Sequence, residues 1–211
     1  ETPIGDDYRN KITKTKNFEL KLKKCPKCNF VQLSNIINPE KVYGEYLYIT
    51  ETSVGLINHF KNLIKYLFKK KILTKTSQVL EVGNNDGSLQ KILKKKCYFA
   101  LGVDPASHLT KNKNLITMKG LYDNKFSKKI DKKFYKFDVI IANNVIANID
   151  NIDTVFKAIS NNLVENGYFV METFSLSKLI KNNLIDNIYH EHLSYFTFKT
   201  INKFSKKYGI N

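Results

Sequence analysis

A parallel β-sheet covered by helices on both faces is the fold predicted for the larger part of this chain, and three observations predict it. Short apolar runs bounded by turn residues recur from residue 77 onward: SQVLEVG (77–83), CYFALGVD (97–104), NLITMKG (114–120), FDVIIANN (137–144) and GYFVMETF (167–174). Runs of this length and composition read as strands. Helix-patterned stretches fall between them, NNDGSLQKILKKK after the first run and IDTVFKAISNNL (152–163) before the last. Strands alternating with helices build a parallel sheet, because each crossover carries a helix that packs back onto a face. No internal repeat and no coiled-coil heptad is visible.

The segments in front of the sheet have a different character. Residues 1–54 lack helical periodicity and hold two of the three cysteines, three of the four prolines and the tyrosine-rich VYGEYLYITETS. A small, separate, irregular subdomain is expected there. Over 55–75 the apolar positions Leu56, Ile57, Phe60, Leu63, Ile64, Leu67 and Phe68 recur at helical spacing with lysines between them, which predicts one connecting amphipathic helix. His59 lies beside that stripe and reads as a helix-edge histidine. Residues 76–211 form the main domain. The chain starts at Glu1 and stops in KKYGIN, so both ends are expected to be cut, with the main domain incomplete at its C-terminus.

At 211 residues and 42% hydrophobic content the chain can bury a substantial core. No run approaches the roughly 18 apolar residues of a membrane span, and no leader pattern opens the chain, so a soluble cytoplasmic protein without a membrane partner is expected. The balance of 35 basic against 19 acidic side chains gives +16. A nucleic-acid partner is the usual inference from such a charge. Here the excess is almost entirely lysine, scattered along the chain, with Arg9 the only arginine. Base edges and phosphate forks favour arginine, so the charge reads as solvated lysine surface and no specific nucleic acid is expected.

Ligands of a doubly wound sheet bind beyond the carboxyl ends of its strands. The first such end is EVGNNDG, Glu81 to Gly87, where Gly83 and Gly87 permit a tight turn and the following helix offers free N–H groups. The second is Asp104 in GVDP, placed to accept hydrogen bonds from ribose hydroxyls. Together they describe a nucleoside pocket. A pyrophosphate loop would carry G-x-G-x-x-G, whereas the second glycine position here is Asn85, with Asp86 beside it. That acidic loop suits a cationic ligand such as S-adenosylmethionine. Asn143, at the end of the fourth strand of the sheet, is expected to border the same crevice.

The segments LEVGNNDGSL, LGVDPASH, DVIIANNVIANI, NGYFVMETFSL and above all DNIYHEHLSYFTF resemble, in order and spacing, the S-adenosylmethionine-dependent sugar C-methyltransferases that act on nucleotide-linked 4-keto-deoxyhexoses. The resemblance covers nearly the whole chain and implies a Rossmann-like class I methyltransferase sheet preceded by a zinc-binding subdomain. It implies a C-methyltransferase acting through an enolate on a nucleotide-linked keto-deoxy sugar, within the EC 2.1.1 class. In that family two C-x-x-C pairs hold a structural zinc. Cys25 and Cys28 match the second pair, so zinc is expected only if another pair lies upstream. Cys97 reads as a buried thiol.

The resemblance also implies site residues. His192 is identified as the base that removes a proton next to the keto group, with Tyr189 and Glu191 as orienting or hydrogen-bonding groups. His190 is placed in the substrate pocket in a mainly structural role. In an extended segment His190 and His192 would share one face and Tyr189 and Glu191 the other, so a tight turn is needed to bring them to one substrate. Tyr46 and Tyr48 either line the substrate or pack the subdomain onto the core. Asn148 stands where the family usually has histidine, and asparagine can hydrogen-bond a sugar hydroxyl but cannot take up a proton near neutrality. Methylation at oxygen or nitrogen, including RNA, and a noncatalytic homologue that binds a nucleotide sugar or a partner protein are the alternatives.

Overall fold

The computed structural model describes residues 17–38 and 48–210, so Tyr46 lies outside the described residues. These residues form two compact units interleaved along the chain. One comprises 17–38, 144–153 and 172–210, the other 48–143 and 154–171.

The second unit is built on the apolar runs. Five strands, β3 (Gln78–Val82), β4 (Phe99–Asp104), β5 (Ile116–Lys119), β6 (Phe137–Asn143) and β7 (Leu163–Glu172), lie in the order β5-β4-β3-β6-β7. β3 pairs in parallel with β4 (Glu81 opposite Gly102) and with β6 (Leu80 opposite Ile140), and β4 pairs in parallel with β5. The first strand of the sheet in sequence is therefore its centre. The connection that leaves β5 for β6 reverses the order across β3, which creates the crevice where such sheets bind ligands. Val139, Ile140, Ile141 and Ala142 are all completely buried, so both faces of β6 are covered, as the sequence predicts.

One face is covered by α1 (Val54–Lys69), whose Phe60, Ile64 and Leu67 pack with Leu89 and Leu93 of α2 (Ser88–Lys94) against Val79, Val139 and Ile141. Ser53 caps α1 by accepting from the Leu56 N–H. Cys97 belongs to this cluster, and burial pushes its thiol up to about 11, the inert core cysteine that the sequence predicts. The helix α3 (Asn124–Asp131), absent from the sequence expectation, is held to α4 (Ile152–Asn162) by a buried polar network. In it the Tyr122 hydroxyl donates to Asn162 Oδ1, and Asn162 Nδ2 donates to Asp131.

The first unit has a three-stranded antiparallel sheet. The hairpin β1 (Leu22–Lys24) and β2 (Val31–Leu33) turns through Cys25–Cys28, and β8 (Ser194–Tyr195) pairs with β2, Val31 opposite Tyr195. Leu33, Leu179, Leu193 and Tyr195 form its core, and α5 (Leu176–Lys181) and α6 (Phe198–Lys207) complete the unit. The ladder between β2 and β8 joins residues 31–33 to the segment after 193 in a single sheet and a single core. Among the described residues no helix is long and apolar enough to cross a membrane.

Candidate active site

In the second unit the predicted cofactor loop follows β3 directly. Gly83 and Gly87 take left-handed φ of 73° and 81°, and a Cβ on Gly87 would meet Leu115 at 2.5 Å. Both positions therefore favour glycine. Asp104 ends β4 with its carboxylate turned back into the loop, where one oxygen accepts from the Asn85 N–H at 2.8 Å and the other from the Ala106 N–H at 2.7 Å. Burial pushes its carboxyl up, and these two hydrogen bonds oppose the shift.

Glu81 is 5% exposed, and its Oε2 has no hydrogen-bond partner among the described residues. Burial holds its carboxyl well above the ordinary range, and the nearby Asp104 and Asp86 charges raise it further. A buried carboxylate without a cation is costly. Asn143, at the end of the adjacent strand β6, likewise has both side-chain polar atoms buried and unpartnered among the described residues. A ligand carrying a positive charge and hydrogen-bonding groups would relieve both, so the residues present fit S-adenosylmethionine. Its sulfonium and amino group would answer the Glu81 charge, and its ribose would be held near Asp104.

The side chains of Asn85 and Asp86 are turned to the segment in front of α1. Asn85 sits at a left-handed φ of 47°, its Nδ2 donates to the Tyr48 carbonyl, and its Oδ1 accepts from the Thr50 N–H and hydroxyl. Asp86 accepts from the Glu51 N–H at 2.7 Å and from the Ser88 N–H at the start of α2 at 2.9 Å. Both side chains thus hold the segment 48–51, and Tyr48 itself is 46% exposed.

In the first unit the YHEH segment makes the required tight turn, closed by a hydrogen bond from the His192 N–H to the Tyr189 carbonyl. The turn brings Tyr189 and His192 together, with ring centroids 4.1 Å apart and the phenol oxygen 2.9 Å from Nε2. Nδ1 lies 2.9 Å from the Asn187 carbonyl oxygen. A carbonyl only accepts, so Nδ1 carries the hydrogen, Nε2 presents its lone pair, and the Tyr189 hydroxyl donates to it. Phe174 packs on the imidazole at 4.4 Å, and burial lowers the His192 pKa below its ordinary value, opposed by the Asn187 contact. The ring is therefore a neutral base at cellular pH.

His190 and Glu191 are buried, at 2% and 7% exposure, with His190 edge-on to Phe18 at 5.9 Å. The short turn Ile146–Asn148 is tied to this segment by a bond from the Leu193 N–H to the Ala147 carbonyl, and Asn148 Oδ1 is buried without a partner among the described residues. Sequence reasoning missed Asn187, which acts through a backbone carbonyl and so leaves no residue-type signal. It also missed Thr50, whose partner lies 35 residues away.

Cys25 and Cys28 lie in the β1–β2 turn, where hydrogen bonds from the Cys28 backbone and thiol hold the Cys25 thiol below its ordinary value. Among the described residues no group of three or more His, Cys, Asp or Glu is placed to hold a metal. Two thiols are half of a tetrahedral zinc set, so the described residues do not make a zinc site by themselves.

A family model described as methyltransferase domain matches residues 55–211. The C-methyltransferase NovU of Streptomyces niveus is 26% identical over 196 residues, which are 92% of this chain and 47% of that protein, so the chain spans about half the length of this curated relative. A SAM-dependent methyltransferase from Archaeoglobus fulgidus superposes with a TM-score of 0.54 at 17% identity, over 71% of this chain and 68% of that one. An O-methyltransferase family protein from Burkholderia thailandensis gives 0.53 at 10% identity, over 73% and 52%. At these identities the two structures establish a shared fold.

Proposed function

Because the chain belongs to the methyltransferase-domain family, we propose that it carries an S-adenosylmethionine-dependent methyltransferase domain whose acceptor is a carbon next to the keto group of a nucleotide-linked deoxy sugar. The observation that carries this reading is the Tyr189–His192 turn, a neutral imidazole whose Nε2 lone pair accepts from a phenol. The similarity to a C-methyltransferase supports the same reading. Methylating carbon requires a carbon nucleophile, and making one from a ketone requires a base and a donor for the enolate oxygen.

When bound, S-adenosylmethionine supplies an electrophilic methyl group on a positively charged sulfur. The acceptor's α-carbon takes the place of the Tyr189 hydroxyl at Nε2, its C–H bond breaks, and the proton passes to Nε2. The electron pair moves to the keto oxygen. Tyr189, released from Nε2, donates its hydrogen to that developing enolate, while the Asn187 carbonyl holds the imidazolium that forms. Glu191 and Asn148 orient the sugar, and Asn148, unable to take a proton, acts as a hydrogen-bonding group only. No step is assigned to a metal.

A positioned base is worth about 10²–10⁴ in rate. In the full-length protein, His192→Asn is expected to keep binding S-adenosylhomocysteine while losing methyl transfer and exchange of the acceptor's α-proton with deuterated water by that factor. Proton exchange at the parent rate would falsify the role of His192. Labelled methyl recovered on oxygen or nitrogen would overturn the carbon assignment.

A further inference from the structure

We propose that Asn85 is a positioning residue whose side-chain amide ties the tyrosine-bearing segment 48–51 to the cofactor loop, so that a donor bound at the loop orders that segment. The inference rests on the reading of Glu81–Gly87 as the donor loop.

Asn85 is bonded through each of its polar groups. Its N–H donates to Asp104 at 2.8 Å and its carbonyl accepts from the Thr110 hydroxyl at 2.7 Å, which fix its backbone in the loop. Its Nδ2 donates to the Tyr48 carbonyl at 2.9 Å, and its Oδ1 accepts from the Thr50 N–H at 3.1 Å and the Thr50 hydroxyl at 3.2 Å. Asp86 adds a fourth bond to the same segment through the Glu51 N–H. The Tyr48 carbonyl needs a donor and the Thr50 groups need an acceptor, and a primary amide supplies both from one side chain. The left-handed backbone at Asn85 is one that asparagine tolerates.

An amide with its carbonyl oxygen doubly occupied cannot also accept from a small ligand without releasing Thr50. The loop therefore meets its ligand through Glu81 and its backbone, and any shift of the loop backbone on ligand binding moves the Asn85 amide and the segment with it. Donor occupancy is thereby transmitted to residues 48–51, and the effect of the Asn85 side chain falls on the order of that segment and not on donor affinity.

Glycine adopts the same left-handed backbone without strain, so Asn85→Gly removes the amide at the cost of a looser backbone, for which Asn85→Asp is the control. Asn85→Asp keeps the acceptor for Thr50 and loses the donor to Tyr48. The measurements are amide hydrogen exchange at Thr50 and Glu51 in the full-length protein, with and without S-adenosylhomocysteine, and calorimetry with that compound. In the parent, ligand should slow exchange at both amides. In Asn85→Gly the Thr50 amide should exchange about tenfold faster or more and respond little to ligand, as expected for the loss of hydrogen bonds that hold a short segment. Asn85→Asp should recover protection at Thr50. Affinity for S-adenosylhomocysteine should stay within about threefold in Asn85→Gly.

Unchanged protection of Thr50 in Asn85→Gly sinks the tether. A loss of ligand affinity of about tenfold or more would instead make the Asn85 side chain a direct cofactor ligand and overturn the proposal. If the parent binds no S-adenosylhomocysteine, the reading of the donor loop fails and the transmission of donor occupancy fails with it. The exchange difference between parent and Asn85→Gly without ligand then decides the tether alone.

Discussion

Glu81 is the residue at which the chemistry of the loop is most exposed to test. Its carboxyl titrates above the ordinary range because it is buried and has Asp104 and Asp86 beside it. Over the pH window from the ordinary carboxyl value of about 4.3 up to its raised value, the folded protein holds a proton that the unfolded chain has lost. Stability from this group is therefore fully present below the ordinary value and is lost as pH rises through the folded pKa. Glu81→Gln removes the titration, so its melting temperature should vary less with pH across that window and exceed the parent's near neutrality. Thermal melts from acid to neutral pH check this, and a parent that instead gains stability relative to the variant as pH rises would refute the buried, uncompensated carboxylate. The same substitution should weaken S-adenosylmethionine binding more than S-adenosylhomocysteine binding, since only the former carries the sulfonium charge. Equal losses would mean that Glu81 does not sense that charge.

The element that links the two ends of the first unit is the ladder from β2 to β8. Leu33, 3% exposed at the end of β2, packs with Leu193 and Tyr195, which follow the YHEH turn directly. Leu33→Ala should cost about 2–5 kcal/mol in urea unfolding, whereas Lys23→Ala, at an exposed position of β1, should stay within about 0.5 kcal/mol. A loss below about 1 kcal/mol at Leu33 would mean that the hairpin is not part of this core. The same contrast explains what the sequence makes legible. The central strands β3, β4 and β6 are readable because burial on both faces leaves uninterrupted runs, and FDVIIANN becomes β6 within one residue. β8 is not, because two residues carry no period. Nor is α3, whose Phe126 and Ile130 stand isolated among lysines. At the site, the residue types in YHEH were visible, but the turn that pairs Tyr189 with His192 was not, since it contains none of the glycine, proline, asparagine or aspartate that usually mark one. The role of Asn85 depends on backbone groups 35 or more residues earlier, which no local pattern encodes.

Across the molecule the lysine excess is large, and within the second unit it is not distributed evenly. Lys69, Lys70 and Lys71 end α1 or follow it, Lys94, Lys95 and Lys96 end α2 or follow it, and Lys128, Lys129, Lys132 and Lys133 do the same at α3, all of them exposed. Each group precedes a strand of the parallel sheet, so these lysines lie toward the edge where the strands begin. Glu81, Asp86 and Asp104 lie where the first two strands end. Cations at helix C-termini complement the helix dipole, which gives this placement a structural cause independent of any partner. Lysine ammonium groups are strongly hydrated point charges without the fork geometry of arginine, so what they attract is phosphate charge and not sequence. Single-stranded RNA should therefore bind weakly at low salt, with no preference between unrelated sequences. The logarithm of the binding constant should fall linearly with the logarithm of salt, by about 0.7 per phosphate contacted. By an ionic strength of about 0.15 M, where the screening length is about 8 Å, the association should be lost. Fluorescence anisotropy across a salt series measures this directly. Binding that persists at that ionic strength and discriminates between sequences would overturn the reading of these lysines as solvated surface and would favour a nucleic-acid acceptor over a nucleotide sugar.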